Sequence, residues 1–317
     1  MYQLLKVRNL LLSLLLLFCF YALISLSVEA SALPSPSTSV KAQPTVPTPP
    51  PPITLDIDTT TGNAVLSWTD SLIEDYYEVY RGTEPFFTLD ANTLLATVPA
   101  NVNTYDDMNS GVGNLNVNHF YKVKAITGDG PGDSNYVGEI DYSLKNSNSA
   151  YSMVGIPFLE PSPSDAAGLA ARIGSVSNIY HWDASTQSFQ VFTPPNIDNF
   201  TFTYGEALFV QVGSSAPSSV NIAGRVSDAA LTLYPNNYSF IAMPLLCNEL
   251  TNASATAVDI NNVINLLQWE PFFQSFLTFT PPNVGDNFTL NIGDPFIVQL
   301  TANGPTSWPS YQTTNCR

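Results

Sequence analysis

Charge is scarce in this sequence. Asp, Glu, Lys and Arg make up 11% of its 317 residues, and the basic ones are scarcest, with 10 Lys and Arg against 26 Asp and Glu. Such a chain has no basic surface with which to neutralise phosphates, so nucleic acid is excluded as an expected partner. The net charge of −16 is read first as a solubility device for an exported protein, ahead of cation binding. Few charges also leave little material for long solvated helices. A hydrophobic share of 44%, with many Thr, Tyr and Phe, points instead to a mainly β protein.

Histidine is nearly missing as well, with only His119 and His181. His119 adjoins the strand-like Phe120-Tyr121, and a structural or solvent-facing role is expected for both. The chain has no Gly-x-Ser-x-Gly elbow, no His-Glu-x-x-His helix and no Gly-rich phosphate loop, so nucleophile, zinc and phosphate chemistry lack their usual carriers. No catalytic, cofactor-binding or metal-binding residue is assigned, and no cofactor is expected. Scattered carboxylates could in principle meet as they do in glycosidases, but nothing in the sequence nominates a pair.

Cysteine is limited to three residues. Cys19 lies inside an uncharged run from Leu10 to Val28, which follows Lys6 and Arg8 and precedes Ala30-Ser31-Ala32. That order reads as a secretory signal over residues 1–32, with an uncleaved anchor as the alternative and the only expected route to a membrane. Residues 33–52 are rich in Pro, Ser, Thr and Val and read as an extended linker. Removal of the signal leaves Cys247 and Cys316, an even pair in an oxidising compartment, and one disulfide between them is expected.

From residue 53 to 143 the pattern is that of short strands. Ile53 to Ile57, Ala64 to Trp68, Tyr76 to Arg81, Leu94 to Val98 and Phe120 to Thr127 alternate or are strongly β-forming, and turn residues separate them. Gly128 to Asp133 is read as a loop, because Gly and Pro oppose a ladder. Leu66-Ser67-Trp68, Tyr77 to Arg81, Thr104 to Asp107 and Tyr121-Lys122-Val123-Lys124-Ala125 together resemble the fibronectin type III family. The resemblance implies a seven-stranded sandwich, with Trp68 in the core and the Tyr121 hydroxyl bonded to nearby backbone. It implies architecture more firmly than ligand. Asp129 and Asp133 do not have the spacing of a calcium loop.

The remainder repeats itself. Tyr151-Ser152 recurs as Tyr238-Ser239, Trp182 as Trp269, and Phe192 to Asn196 as Phe279 to Asn283, all 87 positions apart; one inserted residue then aligns Asn199-Phe200-Thr201 with Asn287-Phe288-Thr289. Two copies of one module are expected, at 148–226 and 235–312. Each would be β-rich with one short helix, over Ala166 to Ile173 and Ala253 to Val263, started by Ser164-Asp165 and Thr251-Asn252. Strands are expected at Ile179 to Trp182 and Leu266 to Trp269. Final pairs are expected at Phe200 to Tyr204 with Ala207 to Val212, and at Phe288 to Ile292 with Phe296 to Leu300. Met243-Pro244-Leu245, Trp182-Asp183 and Gly205 to Phe209 look like a repeat found beside fibronectin-type modules in exported proteins.

The expected function is therefore that of a non-catalytic secreted or cell-surface spacer and interaction protein. Its expected partners are extracellular proteins or envelope glycans, and adhesion is the simplest use. Trp182, Trp269, Tyr180 and Trp308 could stack on sugars, although a repeated strand Trp is first read as core. A carbohydrate-binding accessory role is the alternative, and an unrecognised extracellular hydrolase the more distant one. Asn199, Asn237, Asn252 and Asn287 each open an Asn-x-Ser/Thr sequon and are candidate glycosylation sites.

Overall fold

The structure, a computed structural model, describes residues 52, 54–71, 73–147, 150–195, 197–309 and 316. The expected signal and nearly all of the expected linker lie outside the described residues. No helix among the described residues is long and apolar enough to cross a membrane.

Eight strands come first: β1 (Leu55–Asp58), β2 (Ala64–Trp68), β3 (Tyr76–Gly82), β4 (Leu94–Pro99), β5 (Thr104–Asp107), β6 (His119–Thr127), β7 (Gly130–Asp133) and β8 (Val137–Ser143). β1, β2 and β5 form one antiparallel sheet, and β4, β3, β6 and β8 run in that order in a second. Alternate residues from both sheets meet in a shared core of Leu55, Leu66, Trp68, Tyr77, Val79 and Val123, as period-2 side-chain placement requires. This is a fibronectin-like sandwich. Two expectations need correction. Gly130 to Asp133 is not loop but strand, pairing with β6 from Thr127↔Gly130 to Lys124↔Asp133; it lies beside β6 alone, where Pro131 has no second neighbour to which it must donate. The Tyr121 hydroxyl bonds not to backbone but to the Asp107 carboxylate at 3.0 Å, which also holds Arg81 at 2.7 Å.

The rest of the chain builds two matching layers. The first holds β9 (Tyr151–Gly155), β10 (Leu159–Ser162), α1 (Ala166–Ile173), β11 (Val176–Asp183), β12 (Ser188–Phe192), β13 (Ala207–Val212) and β14 (Ser219–Arg225). The second holds β15 (Leu231–Thr232), β16 (Tyr238–Ala242), α2 (Ala253–Ile260), β17 (Val263–Glu270), β18 (Ser275–Thr280), β19 (Val284–Gly285), β20 (Pro295–Leu300) and β21 (Ser307–Trp308). Strand order is β12-β11-β13-β9 in one sheet and β18-β17-β20-β16 in the other, which β19 extends at the β18 edge. Both sheets carry the same register shift, between Val176 and Asn178 and between Val263 and Asn265. At the shift, Asn178 and Asn265 donate to Gln211 and Gln299 at 2.9 and 2.8 Å.

The helices begin where their caps predict. Asp165 accepts from the Gly168 amide at 2.7 Å and Asn252 from the Ala255 amide at 3.0 Å, each satisfying an otherwise unpaired first-turn donor. α2 stops at Ile260, three residues before the expected Val263, because Asn261 and Asn262 take positive φ and Val263 already belongs to β17. Phe200 to Tyr204 and Phe288 to Ile292 are not strands. Their backbones brace the helix starts instead, Phe200 and Phe288 accepting from Ala166 and Ala253. Cys247 and Cys316 form a disulfide.

The hydrogen-bonded sheets do not stop at the sequence boundaries. β14 pairs with β8 over its whole length, and β10 pairs with β14, so the sandwich's second sheet continues into the following layer as seven strands.

Candidate functional site

The two matching sheets face one another through their aromatic faces. Because residues i and i+2 share a face, Tyr180 and Trp182 on β11 point the same way, and so do Leu267 and Trp269 on β17. Met153, Ala207 and Ile297 close the base of the contact. Above them Trp182 stacks on Phe240, with centroids 5.2 Å apart and planes 20° apart, and Phe209 meets Trp269 edge-on at 5.4 Å and 90°. The sheets then splay. They leave a cleft of about 520 Å³ lined by Tyr, Trp, Phe, Leu and Ile side chains alone. Phe189, Tyr238 and Phe276 at its mouth are exposed.

The contact is reciprocal to the level of single hydrogen bonds. Trp182 Nε1 donates to the Tyr238 carbonyl at 3.0 Å, and Trp269 Nε1 to the Tyr151 carbonyl at 2.8 Å. Gln187 clasps the backbone of Tyr238, donating to its carbonyl and accepting from its N–H, both at 3.0 Å. Gln274 does the same to Tyr151, at 3.0 and 2.7 Å. Both Trp residues are half-buried at this contact, rather than in the core of their own layer. Trp308 is fully buried, and its Nε1 donates to Asp259 at 2.9 Å.

Two polar regions lie elsewhere. Glu139 and Asp141 share one face of β8, both buried, and the Asn221 side-chain amide donates to both carboxylates. Asp141 also accepts from the Gly113 amide at 2.7 Å, and burial, opposed by these bonds, raises its pKa to about 6. Asp141 and Asp294 line a cavity of about 610 Å³ together with Glu84, Asn116, Asn118, Asn248 and Asn291. Burial raises Asp294 to about 6 also, against two bonds from Asn291.

His119 and His181 are not brought together. His119 lies against Glu139, its Nδ1 3.6 Å from the carboxylate. His181 Nε2 is 3.1 Å from Glu206; burial works against its charge, but the bond and charge of Glu206 win and its pKa is raised. Glu206 is lowered in turn, burial being outweighed by His181 and Thr203. Asp133 is occupied by Lys122 and Lys124 at 3.4 and 3.9 Å, and the described residues contain no group of three or more His, Cys, Asp or Glu side chains that could hold a metal.

Of the four sequon residues, Asn199 and Asn287 are exposed, and Asn237 and Asn252 are partly covered. The Asn199 side chain accepts from the Ala167 amide at 2.9 Å and that of Asn287 from the Ser254 amide at 2.8 Å, each in the first turn of its layer's helix. Sequence reasoning found Tyr180, Trp182 and Trp269 but missed Phe209, Phe240, Gln187 and Gln274. The available signal was the recurrence of Gln187 as Gln274 five residues after each repeated Trp.

No family model matches the chain, and no curated protein matches it. Among solved structures, the chicken CNTN1 FN1-FN3 domains align over 82% of this chain and 96% of that one, at 10% identity and a TM-score of 0.18. A likeness this distant carries no argument, and the fold stands on the strand order described above.

Proposed function

We propose that this is a non-catalytic, exported interaction protein that holds a protein partner in the aromatic cleft between its two matching sheets. The observation that carries the reading is the composition of the cleft: eleven apolar or aromatic residues without a charged or amide side chain among them. Large apolar clefts are where proteins bury the side chains of ligands and partners. The rings lock edge to face, and Trp182 spends one face on Phe240, so they offer no flat platform for a sugar. The signal-like start, the Pro-rich linker and the fibronectin-like sandwich support an extracellular setting. Common descent of the two repeat modules explains their shared strand order and register.

A second reading, envelope glycan binding, is favoured by one feature, the Asn-lined cavity beside Asp141 and Asp294. The two are separated by measuring retention of the mature chain on intact source cells, on protease-treated cells and on a polysaccharide panel. The primary reading expects retention that protease treatment abolishes and that Phe189→Ser with Phe276→Ser reduces. Retention on polysaccharide, unaffected by that variant, would favour the glycan reading.

A further inference from the structure

The paired sheets provide an internal control for what the fold needs. The hairpin after β11 turns through Ala184 to Gln187, and the hairpin after β17 turns through Pro271 to Gln274. Each is clasped to the opposite layer by its Gln, and each starts on an acid that accepts from the turn: Asp183 from Ser185 at 2.9 Å, Glu270 from Phe272 at 2.9 Å. The tips differ. One is Ser185-Thr186; the other is Phe272-Phe273, whose side chains are 69% and 73% exposed and pack on each other at 5.1 Å. Since Ser-Thr makes the same turn, folding does not require two exposed rings at the other tip.

Both tips flank the cleft, because Tyr151 and Tyr238, which the Gln residues hold, line it. The cleft therefore has one apolar end, where Glu270 starts the turn but the Lys145 cation sits 4.6 Å over the Phe272 ring, and one polar end, where Asp183 starts the turn beside Ser185-Thr186. The chain as a whole is acidic, at −16, and four of its basic residues, Arg81, Lys122, Lys124 and Arg225, are held in ion pairs. A cationic segment is drawn to such a surface, whereas an anionic one or an anionic membrane is repelled.

Resting on the cleft reading above, we propose that the Phe272-Phe273 tip extends the cleft and orients a cationic, apolar-faced peptide segment of the partner, its apolar residues toward this tip and its basic residues toward Asp183.

The test uses the mature chain and a synthetic 12-residue peptide with Leu and Phe at one end and Lys at the other, beside a copy with Glu in place of Lys. Neutral phosphatidylcholine vesicles serve as the membrane probe. Phe272→Ser with Phe273→Thr, which imports the tip already used in the first hairpin, is expected to weaken the Lys peptide about tenfold or more without moving the melting temperature. The Glu peptide is expected to bind far more weakly. A paramagnetic label on the apolar end should broaden the Phe272 and Phe273 amide signals and spare Ser185 and Thr186. Exchanging the two tips should reverse that pattern. Unchanged affinity in the tip variant, equal binding of the Glu peptide, no binding of either, or tip-dependent binding to vesicles would each overturn the proposal. If Phe189→Ser with Phe276→Ser abolishes peptide binding while the tip variant does not, only the orienting role fails; if neither variant matters, the cleft reading fails with it.

Discussion

The Trp182 indole bonds to the backbone carbonyl of Tyr238, and the counterparts 87 positions later and earlier repeat the bond with roles exchanged, Trp269 to Tyr151. One chain thus contains a contact of the isologous kind normally found between two identical subunits.

Trp182→Phe and Trp269→Phe each remove one such donor and keep most of the ring. Each is expected to lower the unfolding free energy by about 1 kcal/mol, and the two losses should agree within a few tenths in urea titrations. A silent variant on one side alone would mean that the contacts are not equivalent in strength.

The exchange is not symmetric at the strand ends. A Cβ at Gly155 would lie 2.5 Å from the Gly293 carbonyl and 2.8 Å from the Tyr142 hydroxyl, while the matching position already carries Ala242. Gly155→Ala is expected to destabilise by about 2 kcal/mol through overpacking, measured by thermal unfolding. A neutral result would show that the layers can slide apart by that much.

Stability should be higher at pH 5 than at pH 8. The raised His181 contributes fully below its unfolded value of about 6.5, and loses that contribution as pH climbs through its folded value. Asp294, raised from 3.8 to about 6, has the same sign: the folded state keeps its proton longer, so deprotonation on the way to pH 8 opposes folding. Lowered Glu206 stays ionised throughout this range and adds no slope. Asp141, raised to about 6 as well, adds to the same slope. Asp294→Asn should therefore make the profile shallower without abolishing it, and stabilise the protein at pH 8 by about 2 kcal/mol. Denaturant midpoints across the range test this, and an Asp294→Asn profile as steep as the parent's would contradict it.

The bond between Cys247 and Cys316 closes a sequence separation of 69 residues. Restricting the unfolded chain over such a loop is worth about 4 kcal/mol. Cys247→Ser with Cys316→Ser should lose most of that in urea, and alkylation of the unreduced, denatured parent should label neither residue.

Strands and helix starts were legible because their signals are local. Ala64 to Trp68 and Ala166 to Ile173 carry their own alternation, caps and terminal Gly, and the structure places both within those limits. Gly130 to Asp133 was misread because its ladder with β6 depends on what lies beside it, which composition does not record. The cleft was partly legible. The repeated Trp marked the right strands, but whether that strand face meets its own helix or the opposite sheet is decided by packing between residues far apart in sequence. The same holds for His181, within β11, and Glu206, just before β13, which meet only after β11 and β13 pair.

The seven residue pairs joining β8 to β14 also bear on how such a gene can be recombined. A fragment ending at Ser143 would encode a sandwich whose last strand has lost its neighbour, leaving a row of naked amides and carbonyls ready to exchange strands with other copies. The fibronectin-like unit here is therefore no portable cassette: shuffled into another gene, it would have to carry β14, and with it the fold that follows.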